Sequence, residues 1–204
     1  MLNTKQFPVL FKVEDLNLTE GTKKKQYIIL HHSATDVGSA EIFHKYHVQH
    51  NGWKALGYHF VINNGSQLAD GLIQCNMARD WDKDFDFVEE VGAHAQGLNS
   101  KSIGICCVGN FDTHFPSIIQ VTSCRHLISY LCAKLSIPIA NVIGHREAGQ
   151  FGGSPVHKSC PGSLIDMDEA RYFFGTMRVY AGDAIQYSKL IDKQSDVIFY
   201  DRKE

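Results

Sequence analysis

Tyr27-Ile28-Ile29-Leu30 is an unbroken apolar run, half of it β-branched, and it stops at His31-His32-Ser33-Ala34-Thr35. A run this short and this apolar reads as a buried strand. Ile103-Gly104-Ile105-Cys106-Cys107-Val108 has the same character, and Ile139 to Ile143 is a shorter version that ends at Gly144-His145. Gly57 to Ile62 reads as another strand. Asn63-Asn64-Gly65-Ser66 then suggests a hairpin turn, with a return strand from Leu68 to Ile73. Between these runs lie helical patterns. Ser39 to His50 has Ser39 as N-cap, Ile42, Phe43, Tyr46 and Val48 as its expected inner face, and Asn51-Gly52 as its stop. Ser117 to Leu135 is a long amphipathic pattern with Ile118, Val121, Leu127, Ile128 and Leu131 as its apolar positions, and Asp166 to Met177 reads as a third helix. Strands alternating with helices predict an α/β fold, a mixed central β-sheet flanked by helices. In such folds functional side chains collect where strands end and loops begin. His31, His145 and Cys160 occupy positions of that kind.

The 204 residues suit one domain with extensions: an N-terminal extension over 1–25, a domain over 26–177 and a C-terminal extension over 178–204. With 44% apolar and 21% charged residues and a net charge of −2, the composition is that of an ordinary globular chain that has no basic face for nucleic acid. No apolar run approaches the roughly 20 residues of a membrane span, so no membrane insertion is expected, and a monomer is. The opening MLNTKQFPVLFKVEDLN places acidic residues inside its apolar stretch and does not read as a cleavable secretory signal, which implies synthesis in the cytoplasm.

Six cysteines are present, Cys75, Cys106, Cys107, Cys124, Cys132 and Cys160. Without a secretory signal and with a large apolar content, they read as small core residues rather than disulfides. Cys106 and Cys107, adjacent in a strand, should face opposite sides of the sheet. Eleven histidines is a high count. Chance surface placement accounts for His44, His50, His114 and His126, but not for the histidines at strand ends. A catalytic zinc site takes three protein ligands from His, Cys or carboxylate and leaves the fourth position to water. Two strand-end histidines and a Cys before Pro-Gly could build one. The spacing exceeds 100 residues and carries no local metal-binding signature, so each of these side chains taken alone reads first as a structural residue.

ILHHSAT, YHVQHNGW followed by LGYHFVINNG, GAHAQGLNSKSIGICCVGNF, IGHRE and KSCPG occur in this order. Together they resemble the type 2 N-acetylmuramoyl-L-alanine amidase family, which takes in phage endolysins of the T7 lysozyme kind and the peptidoglycan recognition proteins. The similarity spans about residues 26–175. It implies that His31, His145 and Cys160 are ligands of a Zn2+ cofactor, that Tyr58 and Lys158 complete the catalytic group, and that His94 lines the substrate cleft. His32 is the rival of His31, and because neighbouring strand residues face opposite ways the two cannot both be ligands. The implied partner is peptidoglycan. The implied activity is hydrolysis of the amide joining the sugar's lactyl group to the stem peptide, in an endolysin held in the cytoplasm until its release to the cell wall.

The sequence departs from the family pattern in three places. The gap from His145 to Cys160 is lengthened by AGQFGGSPV. Residues 79–90, RDWDKDFDFVEE, read as an inserted loop in which Trp81, Phe85 and Phe87 form either a groove wall or a local packing cluster. Cys106 stands where some relatives place a general-base Glu, and a buried neutral thiol is a poor substitute for a carboxylate. The competing expectations are a cysteine protease built on Cys160, a non-catalytic receptor of the same fold, and a recycling amidase, in which Asp usually replaces the third ligand.

Overall fold

The computed structural model describes residues 7, 9–10, 16, 25–76, 91–155 and 158–176. Six strands, β1 (Val9–Leu10), β2 (Tyr27–His32), β3 (Phe60–Ile62), β4 (Ile73–Cys75), β5 (Ser102–Cys107) and β6 (Val142–Gly144), form one sheet in the order β1-β4-β3-β5-β2-β6. β3, β5, β2 and β6 run parallel, and β4 and β1 are antiparallel additions at one edge. Helices α1 (Ala40–Gln49), α2 (Ile118–Leu135) and α3 (Met167–Gly175) complete the frame. This is the mixed, helix-flanked sheet that the alternating pattern predicts. β2 has a parallel partner on each side and is covered on both faces, which is why its sequence is apolar without alternation.

One face carries Ile28, Leu30, Phe60, Ile62, Ile103, Ile105 and Val142 beneath Leu127, Ile128 and Leu131 of α2 and Met167 and Phe174 of α3. On the opposite face, Val61 and Cys106 pack with Ala40 and Phe43 of α1, while Ile29 and Ile143 pack with Ala95, Leu98 and Ala148. Cys106 and Cys107 do separate to opposite faces, as strand geometry requires. All six cysteines are free thiols.

The helix ends agree with their capping residues. Ser39 accepts from the Ile42 N–H at 3.4 Å, Ser117 from the Gln120 N–H at 3.0 Å, and Asp166 from the N–H groups of Asp168 and Glu169. The inner face of α1 differs from expectation. Ala40, Phe43 and His47 are buried, whereas Ile42, Tyr46 and Val48 are 41%, 54% and 37% exposed. The helix docks through a narrow strip in which His47 Nδ1 accepts the Gly57 N–H, a polar and small-residue contact that a hydrophobic pattern passes over. Ile118, in the first turn of α2, is likewise 85% exposed.

β3 and β4 are not joined by a tight turn at Asn63-Asn64-Gly65-Ser66. The connection runs over 63–72, with Asn63 closing its base by backbone bonds to Leu72 and Gly71. The Asn63 side-chain amide reinforces this closure by donating to Leu72 O and Gln74 Oε1. The N-terminal extension contributes to the fold. Val9 and Leu10 pair with Gln74 and Ile73, and Phe7 and Leu16 are both 2% exposed in the core. Lys25, read as the end of a polar leader, is also buried. Residues 79–90, with Trp81, Phe85 and Phe87, and the extension 178–204 lie outside the described residues.

Candidate metal centre

Sheet register sets two of the three donors. His31 lies beside Cys106 on β5, one residue from the end of β2. Leu30 lies beside Gly144, so His145, the next residue after β6, comes level with His31, and the two imidazole centroids are 4.5 Å apart. Cys160 arrives from a loop and places Sγ 3.5 Å from His31 Nδ1. One donor atom each from His31, His145 and Cys160 lie within 4.8 Å of one another. Ligand atoms tetrahedral about one zinc are separated by roughly 3.3–3.8 Å, given bonds of about 2.0–2.3 Å, so this donor set needs little adjustment to hold the ion. His32 turns to the other face, where its Nδ1 accepts the Phe111 N–H at 3.1 Å.

Electrostatics suit the same chemistry. Burial holds His31 well below the usual imidazole range, with His145 and His32 adding to the effect. Burial also lowers His145, assisted by the Lys158 charge. Both rings are therefore neutral at pH 7 and have a lone pair to offer. Burial pushes the Cys160 thiol up to about 12, against the pull of the His32 backbone N–H, Arg146 and Lys158. A cation in the cluster is what would convert that thiol to a thiolate ligand.

The Cys160 loop is held by side chains whose roles the sequence did not reveal. Arg146 donates Nη1 to the carbonyls of Ser159 at 2.9 Å and Gly162 at 2.7 Å, and Nη2 to that of Ile165. Its own backbone N–H donates to Cys160 O at 2.8 Å. Asp112 accepts from Ser159 Oγ at 2.8 Å and from the Ser163 N–H at 2.6 Å. Glu147 caps the 3-10 helix His145–Phe151 by accepting the Gly144 N–H, and it pairs with Arg171 of α3 at 2.9 and 3.1 Å. In IGHRE, then, the His is a candidate donor, the Arg staples the Cys loop and the Glu fixes the turn. Gly162 has φ +121, and a Cβ there would come 2.5 Å from Phe111 Cβ, so only glycine passes this point.

The half-buried Tyr58 ring lies 5.0 Å from His31. Burial raises its pKa well above the ordinary phenol, and the nearby Cys106 and Cys160 thiols push the same way. Lys158 is exposed, and its charge acts on both His145 and Cys160. His94, expected to line the substrate cleft, is buried behind His31, with its Nδ1 3.1 Å from His31 Nε2. His59 was not singled out in the sequence. It is 1% exposed and its Nδ1 accepts the Gly104 N–H at 2.9 Å, and a histidine directly before a strand gives no local signal of that bond.

Comparison with known proteins gives the chain's family and fold. Residues 21–163 match the family model described as N-acetylmuramoyl-L-alanine amidase. The peptidoglycan-recognition protein SC2 of Drosophila melanogaster is 29% identical over 148 residues, which cover 68% of this chain and 69% of that protein. The endolysin of Klebsiella phage KP32 is 38% identical over 97 residues, 45% of this chain and 54% of the endolysin. Among solved structures, the N-acetylmuramoyl-L-alanine amidase LysC from Clostridium intestinale superposes with a TM-score of 0.59 at 25% identity, covering 76% of this chain and 89% of LysC. Drosophila PGRP-LB does so with a TM-score of 0.53 at 25% identity, covering 69% and 76% of the two chains. The family model spans well over half of the sequence and the fold agrees: this chain belongs to the type 2 N-acetylmuramoyl-L-alanine amidase family.

Proposed function

We propose that the protein is a zinc-dependent N-acetylmuramoyl-L-alanine amidase, which hydrolyses the amide between the lactyl group of N-acetylmuramic acid and the L-alanine of the stem peptide. The observation that carries this reading is the convergence of His31, His145 and Cys160 donor atoms within 4.8 Å, with Lys158 and Tyr58 beside them. A zinc ion held there would supply Lewis acidity, polarising the carbonyl and generating hydroxide near neutral pH. The two neutral imidazoles and the Cys160 thiolate would hold it, and Arg146 and Lys158 would offset the thiolate's charge. Attack on the carbonyl builds negative charge on its oxygen. The Lys158 ammonium and the Tyr58 hydroxyl are the donors that would stabilise that charge. The C–N bond then breaks, and the departing nitrogen takes a proton from Lys158 or Tyr58, leaving a carboxylate on the sugar and a free amine on alanine.

One chain supplies all of these groups, so a monomer suffices. An endolysin role is favoured by the likeness to the phage KP32 endolysin and by the Cys third donor. Such an enzyme would wait in the cytoplasm for release to the wall. Among the described residues no helix is long and apolar enough to cross a membrane. Mass spectrometry of purified peptidoglycan after incubation tests the activity. Stem peptides with a free L-alanine amine should appear, vanish with chelator and return with zinc. Zinc-loaded protein that binds peptidoglycan and leaves it intact would replace this reading with that of a receptor.

A further inference from the structure

His94 is enclosed more tightly than a groove residue needs to be. A Cβ added at Gly104 would fall 2.6 Å from its ring, and one added at Gly92 would fall 2.5 Å from it, so both glycines make room for the imidazole. The Asn99 side-chain oxygen accepts the backbone N–H groups of His94 and Ala95 at 2.9 and 2.8 Å and fixes the turn that carries the ring. From this seat the hydrogen bonds run in a line. His31 Nε2 lies 3.1 Å from His94 Nδ1, His94 Nε2 lies 3.4 Å from Ser102 Oγ, and Ser102 Oγ donates to the Leu98 carbonyl at 2.8 Å.

The last member decides the direction of the rest. A backbone carbonyl can only accept, so the Ser102 hydroxyl proton is committed to Leu98. Ser102 Oγ then has lone pairs left for His94, which makes His94 Nε2 the protonated nitrogen and leaves Nδ1 bare. A bare Nδ1 on His94 accepts from His31, which puts the His31 proton on Nε2. What remains on His31 is an unprotonated Nδ1, the atom that faces Cys160 Sγ. We propose that His94 is a positioning residue, and that the line Leu98–Ser102–His94 fixes His31 in the Nε2–H tautomer and in the ring orientation that a metal ion at the His31–His145–Cys160 cluster requires. This deepens the zinc reading above and rests on it only for the identity of the ion. The tautomer itself belongs to the metal-free protein.

The test uses full-length protein and two readouts. Nitrogen NMR of metal-free, imidazole-labelled protein should show His31 protonated at Nε2 and bare at Nδ1. In His94→Leu, which fills similar space with no acceptor, both tautomers should appear. In His94→Asn, whose amide oxygen can take the place of Nδ1, the single tautomer should return. Zinc affinity by chelator competition should fall about 10–100-fold in His94→Leu, the range seen when a partner of a metal-bound imidazole is removed, and should recover most of the way in His94→Asn. Ser102→Ala keeps His94 in place and should allow a mixture at His31. Unchanged zinc affinity in a folded His94→Leu protein, or a wild-type His31 protonated at Nδ1, would overturn the proposal. If the wild type binds no zinc while its His31 tautomer responds to His94 as described, the positioning role stands and the zinc reading falls.

Discussion

His31 and Cys160 reach the same point of the molecule by different routes. His31 is delivered by a central strand with a parallel neighbour on each side, so its location follows from register with Cys106 and, one residue earlier, with Gly144. Cys160 is delivered by a loop without ladder bonds, and its location depends on Arg146, Asp112 and the Gly162 backbone. Backbone pairing places a donor through the repeating ladder of its neighbouring strands, here 75 and 114 residues on, and requires no particular side chain. A loop needs distant side chains to satisfy its carbonyls and N–H groups, and those partners lie 13 to 51 residues away.

The largest effect should fall equally on both routes. Cys160→Ala and His31→Ala each remove one of three donors, and each should abolish zinc binding and turnover, measured by metal analysis and by stem-peptide release. A Cys160→Ala protein that retains stoichiometric zinc and activity would show that the loop is not part of the centre. Next come the groups proposed to touch substrate without holding metal. Lys158→Ala and Tyr58→Phe should keep zinc yet lose about 10²–10³-fold in rate, the usual cost of removing a donor to an oxyanion. A near wild-type rate in either zinc-loaded variant would remove that residue from the mechanism.

The comparison itself is tested most directly at Arg146. Arg146→Ala leaves the carbonyls of Ser159, Gly162 and Ile165 without their donor, at about 1–3 kcal/mol for each one that stays buried and unsatisfied. Zinc affinity should drop by about 10–100-fold although Arg146 touches no donor atom, because the Cys160 loop is no longer held. Cobalt substitution separates the two routes. The cobalt–thiolate absorption should weaken in Arg146→Ala, while His31 stays in register. Equal cobalt spectra and affinities in wild type and variant would mean that the loop is placed by something other than Arg146.

The same contrast explains what could be read from the residues. The buried strands were legible because β2 and β5 are covered on both faces and lost all alternation, and the helix starts were legible because Ser39, Ser117 and Asp166 are caps. The candidate donors stood out through ordered family motifs, His31 and His145 at strand ends and Cys160 in a loop before Pro-Gly. Three features were not legible. The inward strip of α1 turns on His47, a polar residue bonded to the Gly57 N–H. The joining of Val9–Leu10 to the sheet depends on pairing with β4, more than sixty residues on. His114, read as an ordinary surface histidine, pairs with Asp36 at 2.8 Å across two loops, a contact that only the fold brings about. Motif order likewise put His94 in the cleft region, but only three-dimensional packing against Gly92 and Gly104 shows that it faces inward.

The smallest expected effect is at Cys106, which shares the His31 register level and belongs to the cluster against which Tyr58 packs. Its position matches that of a general-base Glu in some relatives, which invites a catalytic role. Burial raises the thiol well above its ordinary range, so near neutral pH it holds its proton and has almost no thiolate with which to accept another. Cys106→Ala should therefore act through packing, removing one small buried group from the cluster of Val61, Phe43 and Leu56 at roughly 1 kcal/mol. Tyr58 would keep its seat against His31 and His47, so the rate should stay within a few-fold of wild type. Zinc content, melting temperature and amidase rate measured together decide the matter. A folded, zinc-loaded Cys106→Ala protein slowed a thousandfold would put the thiol in the proton transfer, and the register partner of His31 would then be a reacting group in its own right.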